Sequence, residues 1–206
     1  MKLDNKRTIL TGFAFLSICA FWQMYNSIVP LILTNTFHLN ETYSGAIMAA
    51  DNILALFLLP LFGSISDRTN TKIGKRMPFI LFGTGLAIIL MNILPIIDNS
   101  YAAAPGTFKT VSFVVVLGLL LVAMGTYRSP AVALMPDITP KPLRSKGNAI
   151  INLMGALGGV IYLGVAAVMY PNSKVAGLAH VNYQPLFIVV ASIMFVAVAI
   201  LFLTIK

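Results

Sequence analysis

The stretch Gly63-Ser64-Ile65-Ser66-Asp67-Arg68-Thr69-Asn70-Thr71-Lys72-Ile73-Gly74-Lys75-Arg76-Met77-Pro78 is a polar, basic connection between two apolar runs, one over about 43–66 and one over about 78–98. Each run has the roughly 20 residues that a helix needs to cross the hydrocarbon layer of a bilayer. Within the connection, Gly63 permits helices to approach closely and Asp67 brings a carboxylate to a membrane surface. Arg68, Lys72, Lys75 and Arg76 offer partners for acidic groups and for helix C-termini. Opposite charges gathered there can latch a gate at one end of a helical bundle.

Four more apolar runs lie on either side, over about 9–35, 110–135, 147–170 and 183–205, making six in all. A chain of 206 residues that is 58% hydrophobic and 10% charged cannot bury that much apolar surface in one soluble core, so the bilayer is part of its solvent. No strand-like alternation offers a competing barrel. The first run is too long for a signal-peptide core and has no cleavage site, so it reads as a retained helix. The expected fold is an all-α membrane protein with six transmembrane helices forming one domain over 1–206.

The net charge of +8 does not point to nucleic acid, because the basic residues fall in short connections rather than on a continuous face. Alternate connections divide them unequally. Lys2, Lys6, Arg7, Arg68, Lys72, Lys75, Arg76, Lys141, Arg144, Lys146 and Lys206 fall on one side, and only Lys109 and Lys174 on the other. Cytoplasmic segments retain the excess, which orients both termini to the cytosol and adds attraction to anionic lipid heads. The lone cysteine, Cys19, excludes an intrachain disulfide. His38 and His180 lie in predicted loops, without metal-ligand spacing. The spans contain no Ser/His dyad, paired Asp or metal motif, and the chain has no phosphate-binding loop. Neither an enzyme nor a cofactor is expected, beyond a coupling proton or sodium ion.

Polar groups at membrane depth are costly and therefore informative. Gln23 and Asn26 share a face of the first span, with Trp22 and Tyr25 beside them. Counted at about 1.5 Å per residue, Asp51 and Asn52 of the second span lie at matching depth. Aromatic rings beside amide and carboxylate groups suit a sugar, whose ring face stacks while its hydroxyls hydrogen-bond. Tyr127, Arg128 and Asn152 form a second set nearer the cytoplasmic side, with Arg128 roughly 15 Å from Asp51 in depth by the same count. Desolvation makes the charge state of Asp51 responsive to cation and substrate, which suits a coupling carboxylate. The competing reading for all of these is interhelical hydrogen bonding that only packs helices. Gly63, Asp67, Arg68, Gly74, Lys75, Arg76, Asp137 and Arg144 read instead as a cytoplasmic gate, or as solvated loop charges. Exposed pairs of that kind contribute only about 0–1 kcal/mol each, which suits a gate that must open. Gly155 and Gly159, with Gly158 adjacent, form a small-residue pair for close packing, and Pro30 and Pro60 are expected to bend their helices.

The pattern of Gly63, three residues, Asp67-Arg68, then Gly74-Lys75-Arg76 resembles the loop between helices two and three of the major facilitator superfamily, with four extra residues before Gly74. That longer version, with Pro78-Phe79-Ile80 after it, is similar to the branch of glycoside-pentoside-hexuronide cation symporters and sucrose-type proton symporters. Arg128-Ser129-Pro130 through Asp137, followed by Arg144 and Asn148-Ala149, matches the sucrose-transporter stretch. Those transporters often have an Arg where this chain has Val132, so no substrate contact carries over there. The resemblance implies a fold of two six-helix halves, each a 3+3 inverted repeat, with this chain as the N-terminal half. It then implies a missing second half or, alternatively, a second copy as partner. It further implies a secondary active transporter of the plasma (inner) membrane, coupling a proton or sodium ion to symport of a sugar or glycoside by alternating access. Because helix two of the cation symporters carries cation-binding Asp residues, it points to Asp51. A drug or amphiphile exporter and a non-transporting scaffold or receptor subunit are the alternatives.

Overall fold

The protein's structure is a computed structural model that describes residues 4–204. Lys2 and Lys206, both part of the charge count, and residue 205 at the end of the sixth run lie outside the described residues. The first helix, α1 (Asn5–Leu31), continues into a wider turn, Ile32–Thr36. It is followed by α2 (Glu41–Arg68), α3 (Met77–Ala103), α4 (Thr107–Ile138), α5 (Arg144–Met169), the one-turn α6 (Asn172–Val175) and α7 (Gln184–Thr204). Among the described residues there is no strand, and six helices are long and apolar enough to cross a membrane. The helices overrun the apolar runs because their polar ends still close backbone hydrogen bonds. Asp4 accepts the Arg7 amide at 3.0 Å to start α1, and Asn40 accepts the Thr42 amide at 3.1 Å to start α2. Gly74, at φ 94°, supplies the left-handed residue that turns the chain into α3, a conformation that strains any side chain with a Cβ.

The packing partners repeat with a shift of three spans. Helix α1 lies on α5 as α4 lies on α2, and α3 lies on α4 as α7 lies on α1. Two further pairs, α3 with α7 and α1 with α4, map onto themselves. Because α1 and α4 run in opposite directions across the layer, the two three-helix units are inverted copies. Phe21, Met24, Tyr25 and Ile28 of α1 are buried against this core, whereas α2 buries only Ser44 and Ser66 and stands at the edge.

Close approach of α1 and α5 rests on Gly155 and Gly158. A Cβ at Gly155 would come within 2.9 Å of Cys19 Sγ, and one at Gly158 would overlap the Leu16 carbonyl outright. Gly159 has open space around it, so the contacting pair is Gly155 with Gly158 rather than the Gly155 and Gly159 spacing read from sequence. The reason is rotational: of two adjacent glycines, only one faces the partner helix. The chain stays helical through Pro30 and Pro60, and the departure from α-helical pitch comes just after Pro30, at Ile32–Thr36.

Candidate functional site

Midway along the bundle, Trp22 of α1, Asp51 of α2 and Arg128 of α4 line one narrow cleft, walled by Leu54, Leu58, Leu121 and Gly125. The Arg128 guanidinium carbon lies 5.5 Å from the centre of the Trp22 ring, a cation–π distance. Trp22 is held edge-on by Phe21 and Tyr25, each with ring centroids 5.3 Å away. Its indole N–H is buried and has no hydrogen-bond partner among the described residues. Asp51 Oδ1 accepts the backbone N–H of Asn52 at 2.6 Å, which leaves the second oxygen for another partner. Arg128 makes no ion pair among the described residues, so a cation and a carboxylate line the same tight cleft beside an aromatic ring.

At the end of the bundle that carries most of the basic residues, Arg76 is only 6% exposed and fully engaged. Its Nε donates to Asp137 Oδ2 at 3.0 Å, its Nη1 to Ser66 Oγ at 2.6 Å and to the Gly63 carbonyl at 3.4 Å, and its Nη2 pairs with Asp67 at 2.5 Å. One side chain thereby joins the C-terminal ends of α2 and α4. Lys75 adds a longer contact to Asp137 at 3.5 Å. The central cation is buried, so this latch is not the set of wholly exposed pairs that the loop position suggests. Removing a partner from a buried charge costs far more than breaking a surface pair. Arg68 is exposed and makes no ion pair among the described residues, and Arg144 donates to the Pro136 carbonyl at 3.0 Å, so neither joins the latch.

A family model for the Major Facilitator Superfamily matches residues 11–206. The chain belongs to that superfamily. Within the superfamily it is 29% identical over 154 residues to sucrose transport protein SUC3 of Arabidopsis thaliana, covering 68% of this chain and 25% of that protein. It is 31% identical over 123 residues to sucrose transport protein SUT3 of Oryza sativa subsp. indica, covering 53% and 24%. Alpha-ketoglutarate permease of Escherichia coli strain K12 is 28% identical over 194 residues, covering 91% and 41%. The chain therefore spans well under two thirds of each of these relatives. These matches agree with the resemblance to the superfamily and to its sucrose-type branch, and with six membrane-competent helices the chain is an integral membrane protein.

Against that superfamily fold, the residues chosen from sequence separate. Arg128 stands with Trp22 and Asp51 and not in a second set with Tyr127 and Asn152. Helix α4 runs to Ile138 rather than Met135, which moves Arg128 about 4.5 Å further from the basic end, and its long side chain carries the charge further still. Tyr127 is fully buried, and its hydroxyl donates to the Ala14 carbonyl at 3.1 Å and bonds the Ser17 hydroxyl at 2.6 Å. It ties α4 to α1 and does not line the cleft. Gln23 is half-buried, and Asn26, Asn52 and Asn152 are exposed on α1, α2 and α5.

Sequence reasoning passed over Asp98 of α3, which is completely buried. Its only signal was a carboxylate at the end of an apolar run, indistinguishable there from a surface residue. Nearby, burial pushes the Tyr183 phenol above its ordinary value, and the charge of Asp98 adds to the effect. Burial raises Tyr170 in the same way, opposed by a backbone hydrogen bond.

Proposed function

We propose that the chain forms half of a secondary active transporter that couples a proton or sodium ion to symport of a sugar or glycoside by alternating access. The observation that carries this reading is the cleft of Trp22, Asp51 and Arg128 at mid-bundle. An indole face offers a stacking surface for a sugar ring, while the guanidinium and the carboxylate meet hydroxyls. The matches to sucrose transport proteins support the same substrate class. Asp51 is the coupling carboxylate: its charge answers both to a bound cation and to a ligand beside Arg128.

A second six-helix half covers the exposed faces of α2 and α5, where Asn52 and Asn152 stand among Ile53, Leu56, Leu153 and Leu157. Gln23 and Asn26 complete the substrate site from the open stripe of α1. The basic end faces the cytosol of a plasma (inner) membrane, with both termini on that side. The Arg76 latch is the cytoplasmic gate, with Gly63, Asp67, Gly74, Lys75 and Asp137 shaping it.

Uptake of labelled sugars by proteoliposomes holding the full-length protein tests the reading, with and without an imposed proton or sodium gradient. Gradient-driven accumulation that disappears in Asp51→Asn, while downhill exchange persists, is the expected result. Accumulation of no sugar under either gradient would overturn it. A carboxylate-bearing substrate is the second reading, favoured by the absence of an ion pair to Arg128 among the described residues and by the permease relative. Inhibition of uptake by a 2-oxo dicarboxylate, but not by sugars, would replace the first reading with it.

A further inference from the structure

The end of the bundle opposite Arg76 holds a charge arrangement of a different kind. Asp98 of α3 is 0% exposed, and among the described residues no donor meets full hydrogen-bond geometry at either carboxylate oxygen, the Thr36 hydroxyl being the donor whose influence reaches it. Among the described residues its one ionic neighbour is His180 Nε2, 3.8 Å from Oδ2. His180 belongs to the connection between α6 and α7, and its ring is 23% exposed. A cavity of about 170 Å³, lined by Asn35, Thr36, His180 and Tyr183 with apolar residues of the same connection, leads to the ring. Water therefore reaches the imidazole, while the carboxylate stays sealed behind it.

The hydrogen bonds around the imidazole are compatible with either protonation state. Nε2 bonds the Asn99 side-chain oxygen at 2.8 Å, and because that oxygen can only accept, Nε2 carries a hydrogen. The other nitrogen, Nδ1, faces the Thr36 hydroxyl at 3.4 Å. A hydroxyl can donate to neutral Nδ1 or accept from protonated Nδ1, so the ring gains or loses a proton without giving up either bond. The same amides anchor the connection. Asn99 donates to Asn182 Oδ1 at 2.9 Å, and that oxygen also accepts the Gln184 amide at the start of α7. Tyr170, at the end of α5, donates to the Asn182 carbonyl at 2.8 Å.

We propose that Asp98 and His180 form a proton-binding site in which one shared proton clasps the α6–α7 connection against the ends of α1 and α3. A fully buried carboxylate with at most one weak hydroxyl donor is tolerated when it is neutral or when it faces a charged imidazole, and either state holds one proton between the two groups. Loss of that proton leaves a bare buried anion beside a neutral ring, and the anion regains hydration when the connection lifts and water enters. The surrounding titratable groups do not replace His180. Tyr183 on the connection and Tyr101 on α3 offer neutral phenols. Lys109, from the start of α4, already donates to the carbonyls of Ser100 and Ala104 at 2.7 and 2.8 Å. The end of α1 contributes only the neutral Thr36 and Asn35, and α7 packs through apolar Leu186 and Phe187. The clasp is independent of which substrate, if any, the cleft binds.

Hydrogen exchange on the full-length protein in lipid nanodiscs, read by mass spectrometry from about pH 5 to about pH 9, tests the site. After correction for intrinsic amide chemistry, protection of residues 176–187 should fall at least tenfold as pH rises through the titration, while the Arg76 end stays constant. Asp98→Asn, which needs no proton to be neutral, should flatten that step. The protein has two histidines, so histidine-selective isotope labelling, with His38→Gln to assign the signals, reads His180 directly. Its titration midpoint should coincide with the exchange step. Protection that does not vary with pH in the unmodified protein, an undiminished step in Asp98→Asn, or a His180 signal that titrates apart from the step would each overturn the proposal.

Discussion

Arg76 and Asp137, 61 residues apart in the chain, meet through Nε and Oδ2 at 3.0 Å, and that contact fastens the end of α4 to the loop that starts α3. Asp137 is 30% exposed and Asp67 is 56% exposed, so solvent screens the second carboxylate more strongly. Asp67→Asn should therefore cost under about 1 kcal/mol of stability, and Asp137→Asn more. The double variant removes both anions from a buried guanidinium, leaving it only neutral acceptors, and it should lose about 3 kcal/mol. Thermal unfolding in detergent measures all three. Equal losses for the two single variants would contradict the burial argument.

Leu16 and Gly158 set the distance between α1 and α5. Gly158→Ala forces a Cβ into the Leu16 carbonyl and should cost about 1–3 kcal/mol, whereas Gly159→Ala should stay within about 0.5 kcal/mol. The same unfolding measurement ranks the pair. A Gly159→Ala loss as large as that of Gly158→Ala would mean that the helix is rotated from the orientation described.

Arg128 reaches Trp22 through a ring face, so an aromatic replacement should conserve what an aliphatic one loses. Trp22→Phe should weaken ligand binding little, and Trp22→Ala by about tenfold, corresponding to roughly 1–2 kcal/mol of stacking and cation–π attraction. Equilibrium binding of the transported ligand to purified protein gives the comparison. Identical constants for Phe and Ala would remove the ring from the site.

Tyr170 and Tyr183 have phenols held above their ordinary value of 10.0, chiefly by burial. A raised value means that the folded chain holds the proton more tightly than the unfolded chain. The stability contributed by these phenols is whole below the ordinary value and is lost as pH rises through the raised ones. Tyr183→Phe cannot ionise and should lose less stability than the unmodified protein on moving to strongly alkaline pH. Parallel alkaline slopes for the two proteins would count against the burial of Tyr183.

The six spans and the loop motif from Gly63 to Arg76 were legible because hydropathy and residue spacing are properties of the chain read in order. A run such as 78–98 must become a helix in a bilayer, since no other local structure satisfies its backbone there. Trp22 and Asp51 were legible as polar or aromatic groups at one depth, because rise per residue converts position into depth. Arg128 was misplaced because its helix ends three residues later than its apolar run and because an arginine carries its charge well beyond its own backbone. Tyr127 and Gly159 were misassigned for another reason: each lies one position from a residue that does make the contact, and a helix turns by about 100° at every residue.

Sequence alone determined that this chain lives in a bilayer as six helices, which superfamily its loop resembles, and that a handful of polar residues are too costly to lie idle. Tertiary structure alone decided which of them meet. Arg76 became the buried centre of a latch, Tyr127 became a tie between helices, and Asp98 became a sealed carboxylate facing His180, 82 positions further along the chain. Hydropathy is additive along a sequence, whereas burial and pairing depend on helix rotation, helix length and the residue presented by a neighbouring helix, which no single segment contains.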